Sequence, residues 1–143
     1  MKNRFLNTSS VPTLIPRIVV GVVFLSEGLQ KFITPDTMGA GRFAKLGFQN
    51  AEFWAYFTGT FEIICGIFLL IGFITRLATI PLLIVMLIAF IKTKFPLFID
   101  KGFGEMIHEY RTDFAMTMLL FFLLYFGGGN FSLDRKIFIF EPK

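Results

Sequence analysis

The hydrophobic pattern of this chain is one of long runs, with few of the short alternations or three-and-four spacings of a soluble domain. The first run extends from Thr13 to Phe32 and the second from Phe53 to Ile74. A third starts at Leu77 and reaches Ile91, or Phe95 if Lys92 and Lys94 snorkel. A fourth begins near Glu109 and ends at the glycine triplet Gly127 to Gly129. About twenty apolar residues at roughly 1.5 Å rise span one hydrocarbon thickness. The pattern therefore predicts an all-α integral membrane four-helix transmembrane bundle forming a single domain. Its expected spans are about 13–32, 53–74, 77–95 and 109–127. Lys2 and Arg4 ahead of the first run also fit a signal peptide. Arg17 interrupts that run, however, and Glu27 and Lys31 end it without a small-residue cleavage pattern, so a retained helix is expected. Residues 33–52 form a polar connector, with a short interfacial helix expected around Arg42 to Leu46.

Composition narrows the picture. Of 143 residues, 55% are hydrophobic and 17% charged, too few charges for a soluble domain of this size. The length leaves no room for a separate soluble domain beside four spans. The single cysteine, Cys65, excludes an internal disulfide, a CxxC relay and a cysteine-built metal site. One histidine, His108, cannot supply a bis-histidine haem or a His-rich copper or di-iron cage, so no metal is expected. The net charge of +4 points away from nucleic acid in so apolar a chain, because basic residues flanking spans face anionic lipid.

Four spans put both termini on one side. The 14 Lys and Arg then divide equally between the two sides, and the acids, which gather on the loop side, carry little weight in orientation. Both termini are expected in the cytoplasm.

Three ionisable residues, Arg17, Glu27 and Glu62, fall inside expected spans, where charges usually pair or line a cavity. On a helical wheel Arg17, Gly21, Phe24, Gly28 and Lys31 share a stripe, with Glu27 about 80° to one side. Thr58, Gly59, Glu62 and Gly66 share another, with Cys65 at its margin as a small buried hydrophobe. The two faces are expected to meet, with Arg17 reaching Glu62 and Glu27 pairing with Lys31 at i, i+4. Such a pair either locks two helices together or makes Glu27 or Glu62 a proton acceptor in an apolar site.

The densest polar cluster is His108 to Asp113 at the expected start of the fourth span. It fits the mouth of a site, but for any one of these residues the expected role is an acidic helix N-terminus in the headgroups. The catalytic candidates are Glu27, Glu62, His108 and Glu109. Arg17, Lys31, Glu62, Arg111 and Asp113 are candidates for holding a quinone or another polar ligand. The many phenylalanines read as lipid-facing and core surface.

PRIVVGVVFLSEGLQKF in the first run, FEIICGIFLLIGFITRLA across the hairpin and HEYRTDFAMTMLLFFLLYFGGGNFSLDR near the end resemble the DoxX family. The most specific parts are Gly66, Gly72 and Arg76, and the glycine stop followed by Ser132, Leu133 and Asp134. The resemblance implies a small four-helix protein of the bacterial inner membrane. It also implies a subunit of a membrane oxidoreductase, like that of archaeal thiosulfate:quinone oxidoreductase. The polar positions it carries over are Arg17, Lys31, Glu62, Arg76 and Glu109. With no electron carrier of its own, such a subunit needs quinone or a redox partner. Its expected partners are the bilayer and a second protein or another copy of itself. A non-enzymatic scaffold and a small proton-coupled carrier are the alternatives. A cavity containing Glu62 favours a redox or carrier role, and a closed dry bundle favours the scaffold.

Overall fold

The computed structural model describes residues 12–138, which are all-helical, with no strand among them. The helices are α1 (Leu14–Ile33), α2 (Ala40–Lys45), α3 (Ala51–Ile71), α4 (Thr75–Ala89), α5 (Phe95–Lys101), α6 (Phe103–Phe126) and α7 (Leu133–Phe138). A π-helical turn, Phe90–Lys94, joins α4 to α5 without a break. The helix expected around Arg42 is α2. The third helix runs well past Phe95 through the π turn. The fourth starts at Phe103, six residues before Glu109.

Two stretches are long and apolar enough to cross a membrane, Ala51–Ile71 and the near-continuous Thr75–Lys101. Helices α1 and α6 have comparable length, 20 and 24 residues, but charges fall within their apolar stretches, so neither offers 18 residues with two charges or fewer. The burial pattern is the inverse of a soluble protein's. Ile15, Ile33 and Tyr125 are each more than 70% exposed, whereas Arg17, Lys31, Glu62 and Asp134 are buried. Apolar surface turned outward around polar groups is the arrangement a hydrocarbon solvent favours.

Antiparallel α1 and α3 make the tightest pair. The α1 residues that are buried, Arg17, Val20, Gly21, Phe24, Gly28 and Lys31, recur at three-and-four spacing and so form one stripe. Gly21 lies against the Gly66 carbonyl and Gly28 against that of Gly59, where a Cβ on either α1 glycine would sit 3.0 Å or less from the α3 backbone. Small residues facing each other let the two backbones close up, which is how helices associate in lipid. A tight reversal at Gly72 (φ 71°) and Ile74 (φ 41°) sends the chain from α3 into α4. Helix α4 then packs on both α3 and α6, and α6 touches α1.

The interior has three layers. At the end carrying the described termini, α1, the α3–α4 turn and the segment after α6 interlock through polar groups. Val20, Phe24, Cys65, Leu69, Ala78, Leu82, Met116, Leu120 and Leu123 form the apolar core of the next layer. Cys65 sits there as the small buried hydrophobe expected. Beyond Phe24 and Met116 the helices separate around a cavity.

Candidate functional site

The cavity has a volume of about 620 Å³ and walls that are mostly apolar. Helix α1 contributes Phe24, Glu27 and Lys31; α3 contributes Trp54, Thr58 and Glu62; α4 and the π turn contribute Val85, Ala89, Lys92 and Thr93. Thr112, Asp113 and Met116 of α6 close one side, and Arg42 and Phe43 of α2, with Leu46 and Phe48 after it, cover the loop end. Phe57 and Phe61 of α3 and Ile84 and Ile88 of α4 line the cavity and are also exposed on the outer surface. Side chains that face both ways mark an opening between α3 and α4 on the flank of the molecule, where a bilayer would lie.

One wall holds a buried ion pair. Lys31 Nζ lies 2.6 Å from Glu62 Oε2, and the two side chains are 9% and 4% exposed. Lys31 Nζ also donates to the main-chain oxygen of Glu27 at 3.3 Å. An ammonium carries three N–H groups, so one donor remains beyond these two. Glu27 lines the cavity next to this pair, and among the described residues no cation lies within 4 Å of its carboxylate.

The opposite wall holds a more open network. Lys94 of the π turn bridges Asp113 at 3.5 Å and Glu109 at 3.8 Å. Asp113 lines the cavity, whereas Glu109 is 58% exposed at its side chain. His108 and Arg111 lie outside the cavity lining, with Arg111 Nη2 3.3 Å from His108 Nε2 on an exposed face. His108 to Asp113 occupy the second and third turns of α6. The helix-cap reading of this cluster therefore does not hold, because only the first turn offers unpaired N–H groups.

The expected contact between Arg17 and Glu62 is not made, and neither is an ion pair between Glu27 and Lys31. Arg17, 1% exposed, donates through Nη2 to the Phe131 carbonyl at 2.7 Å and is drawn electrostatically to Asp134. Asp134 caps the next helix: its carboxylate accepts from Ile74 N at 2.5 Å and Thr75 N at 3.0 Å, and its own N–H donates to Gly72 O at 2.9 Å. Thr13 Oγ1 donates to Gly128 O at 2.6 Å. Gly72 is required twice, by its positive φ and because a Cβ there would collide with the Arg17 guanidinium. Arg17 thus belongs to an interlock at the far end of the molecule from the cavity. Asp134 was legible only as part of the glycine-stop motif, with nothing to say that the motif folds back onto the α3–α4 turn.

An all-helical protein with an apolar exterior, buried charges and a flank-opening cavity belongs to the class of α-helical membrane proteins. The family model of DoxX matches residues 13–94, from the start of α1 through the π turn, and the chain belongs to the DoxX family. It is 45% identical over 141 residues to an uncharacterized membrane protein of Mycobacterium tuberculosis, covering 94% of this chain and 86% of that relative. No solved structure matches.

Proposed function

We propose that this DoxX protein is the quinone-binding subunit of a membrane oxidoreductase, crossing the bacterial inner membrane four times with both termini in the cytoplasm. The observation that carries the reading is the cavity itself, which places a buried Lys31–Glu62 pair at the inner end of an apolar space open towards lipid. A dry, closed bundle would have favoured a scaffold.

The residues fit such a ligand. A volume of about 620 Å³ lies in the range of small-molecule and cofactor sites. The aromatic and aliphatic walls suit a ring and an isoprenoid chain, while the remaining Lys31 donor suits a carbonyl oxygen. A bound quinone supplies carriage of two electrons and two protons. Lys31 binds and orients the carbonyl, and the Glu62 carboxylate paired with it is placed to accept a proton at the same wall. Glu27 offers a second carboxylate beside it. Asp113 and Glu109, bridged by Lys94, lead from the opposite wall towards water. The electrons come from a partner redox protein, since the side chains here carry protons and hydrogen bonds only.

Trp54, the only tryptophan, lines the cavity and reports on binding directly. Titration of the detergent-purified protein with a short-chain ubiquinone or menaquinone should quench Trp54 fluorescence saturably, and Glu62→Gln should weaken binding by about tenfold. Retained quinone in lipid extracts would agree. If neither quenching nor retained quinone is seen in folded protein, the pair is a helix lock and the chain is an accessory protein.

A further inference from the structure

The loop end of the cavity carries two cations, Arg42 and Lys92, that the quinone reading does not use, while Glu27, a carboxylate with no cation within 4 Å among the described residues, lies beside Lys31 and Glu62. Lys31 is matched by Glu62 and Lys94 by Asp113. Arg42 of α2 and Lys92 of the π turn also line the cavity, yet among the described residues neither has a carboxylate within 4 Å. Both are exposed. The π turn presents Lys92 to this rim: its Nζ sits 4.9 Å from the centre of the Phe48 ring, and Phe48 packs at 45° against Phe43, the residue after Arg42. Both cations thus line one rim, linked through Phe48 and Phe43, above the opening between α3 and α4. Below them, Trp54, Phe57 and Ile88 give that opening an apolar, outward-facing floor.

We propose that this rim is a binding site for an anionic phospholipid, its phosphate held between Arg42 and Lys92 and an acyl chain laid in the opening between α3 and α4. Charge complementarity selects the head, because basic residues between helices at the membrane surface attract anionic lipid. The apolar floor selects a lipid over a free phosphate ion. The lipid lies at the outer mouth of the flank opening, where it exchanges with any ligand that enters from the bilayer, and the site stands whatever occupies the inner end of the cavity.

The test is native mass spectrometry of the full chain released from mixed micelles containing equal phosphatidylglycerol and phosphatidylcholine. The wild type should retain phosphatidylglycerol over phosphatidylcholine by about tenfold. Arg42→Gln with Lys92→Gln should abolish that preference. Lys45→Gln, on an exposed part of α2 outside the cavity, should keep it. Phe48→Leu, which removes the ring and keeps both charges, should also keep it, which separates loss of charge from a displaced α2. Equal retention of the two lipids by the wild type overturns the proposal, as does an equal loss in Lys45→Gln. Full displacement by millimolar glycerol phosphate overturns it too, since that makes the rim a plain anion site. Quinone quenching of Trp54 is read separately, so failure of one reading leaves the other standing.

Discussion

At the scale of single residues, direction decides which buried charges meet. Gly21 opposite Gly66 and Gly28 opposite Gly59 fix the register of α1 on α3, which brings the Lys31 Cβ against Gly59 and the Arg17 guanidinium against Gly72. Along α3, Gly59 lies about one turn from Glu62 and Gly72 nearly three turns away. Side chains on a helix lean towards its N-terminus. On antiparallel helices Lys31 and Glu62 therefore lean together, while Arg17 leans away to the tail. The helical wheel made the stripe Arg17–Lys31 and the face of Glu62 legible but carried no register, and so it paired the wrong cation. Removing one partner strands a charge in an apolar wall, whereas removing both leaves none. Lys31→Met and Glu62→Leu should each destabilise the protein by about 2–4 kcal/mol, and the double variant should recover most of that loss. Reversible unfolding in mixed detergent and SDS reads the cycle. A double variant as unstable as the sum of the singles would mean the two groups do not interact. The double variant should still lose quinone quenching of Trp54, because its stability returns without its donor.

At the scale of elements, the segment after α6 does the work of a cap and a clamp. The αL turn at Gly72 and Ile74 begins α4 with unpaired N–H groups, and no side chain of that turn satisfies them. Asp134 does so from 60 residues away and brings a negative charge to a helix N-terminus beside the Arg17 guanidinium. The glycine stop was legible as a helix end, since three successive glycines cannot continue a helix well. Its return onto the hairpin was not, because a contact over that separation leaves no trace in local pattern. The π turn escaped for a related reason: its residues, Phe90–Lys94, read as the frayed edge of a span, and hydrophobic spacing does not show one added residue in a turn. Asp134→Asn keeps acceptor capacity at the cap and loses the charge that faces Arg17. It should cost about 2–3 kcal/mol, while Lys136→Ala, exposed on α7, should stay within about 0.5 kcal/mol of wild type. Thermal melting in detergent distinguishes them. Equal melting of the two variants would show that the tail merely rests on the surface.

At the scale of the whole molecule, the number of crossings decides whether the cavity is sealed among spans or lies between spans and headgroups. Helices α3 and α4–α5 pass as spans on length and apolarity alone, whereas α1 and α6 bring charges that a lone helix in lipid would not tolerate. On α1 the two cations point inward: Arg17 and Lys31 are buried against neighbours, and the exposed residues of α1 include Ile15, Ile18, Val19, Val22 and Leu29, whereas the α6 charges Glu105, Glu109 and Arg111 are exposed in its loop-side half. Helix α1, with its cations turned to the bundle and an aliphatic outer face, is suited to insert together with its neighbours. Two crossings and four differ in one observable relation. With two, residues 34–50, residues near 100 and the segment after α6 all lie on the same side. With four, the last of these lies opposite the other two. Because Cys65 is the only cysteine and is buried, Cys65→Ser gives a clean background for Gln49→Cys, Asp100→Cys and Lys136→Cys, all at exposed positions. A membrane-impermeant maleimide applied to intact spheroplasts should label Gln49→Cys and Asp100→Cys, and should reach Lys136→Cys only after permeabilisation. Labels on the reversed sides would keep four crossings and invert the orientation, an outcome left open by the even division of Lys and Arg. Labelling of all three from one side would take α1 and α6 out of the hydrocarbon, and with them the flank opening through which a lipid-borne ligand reaches Lys31 and Glu62.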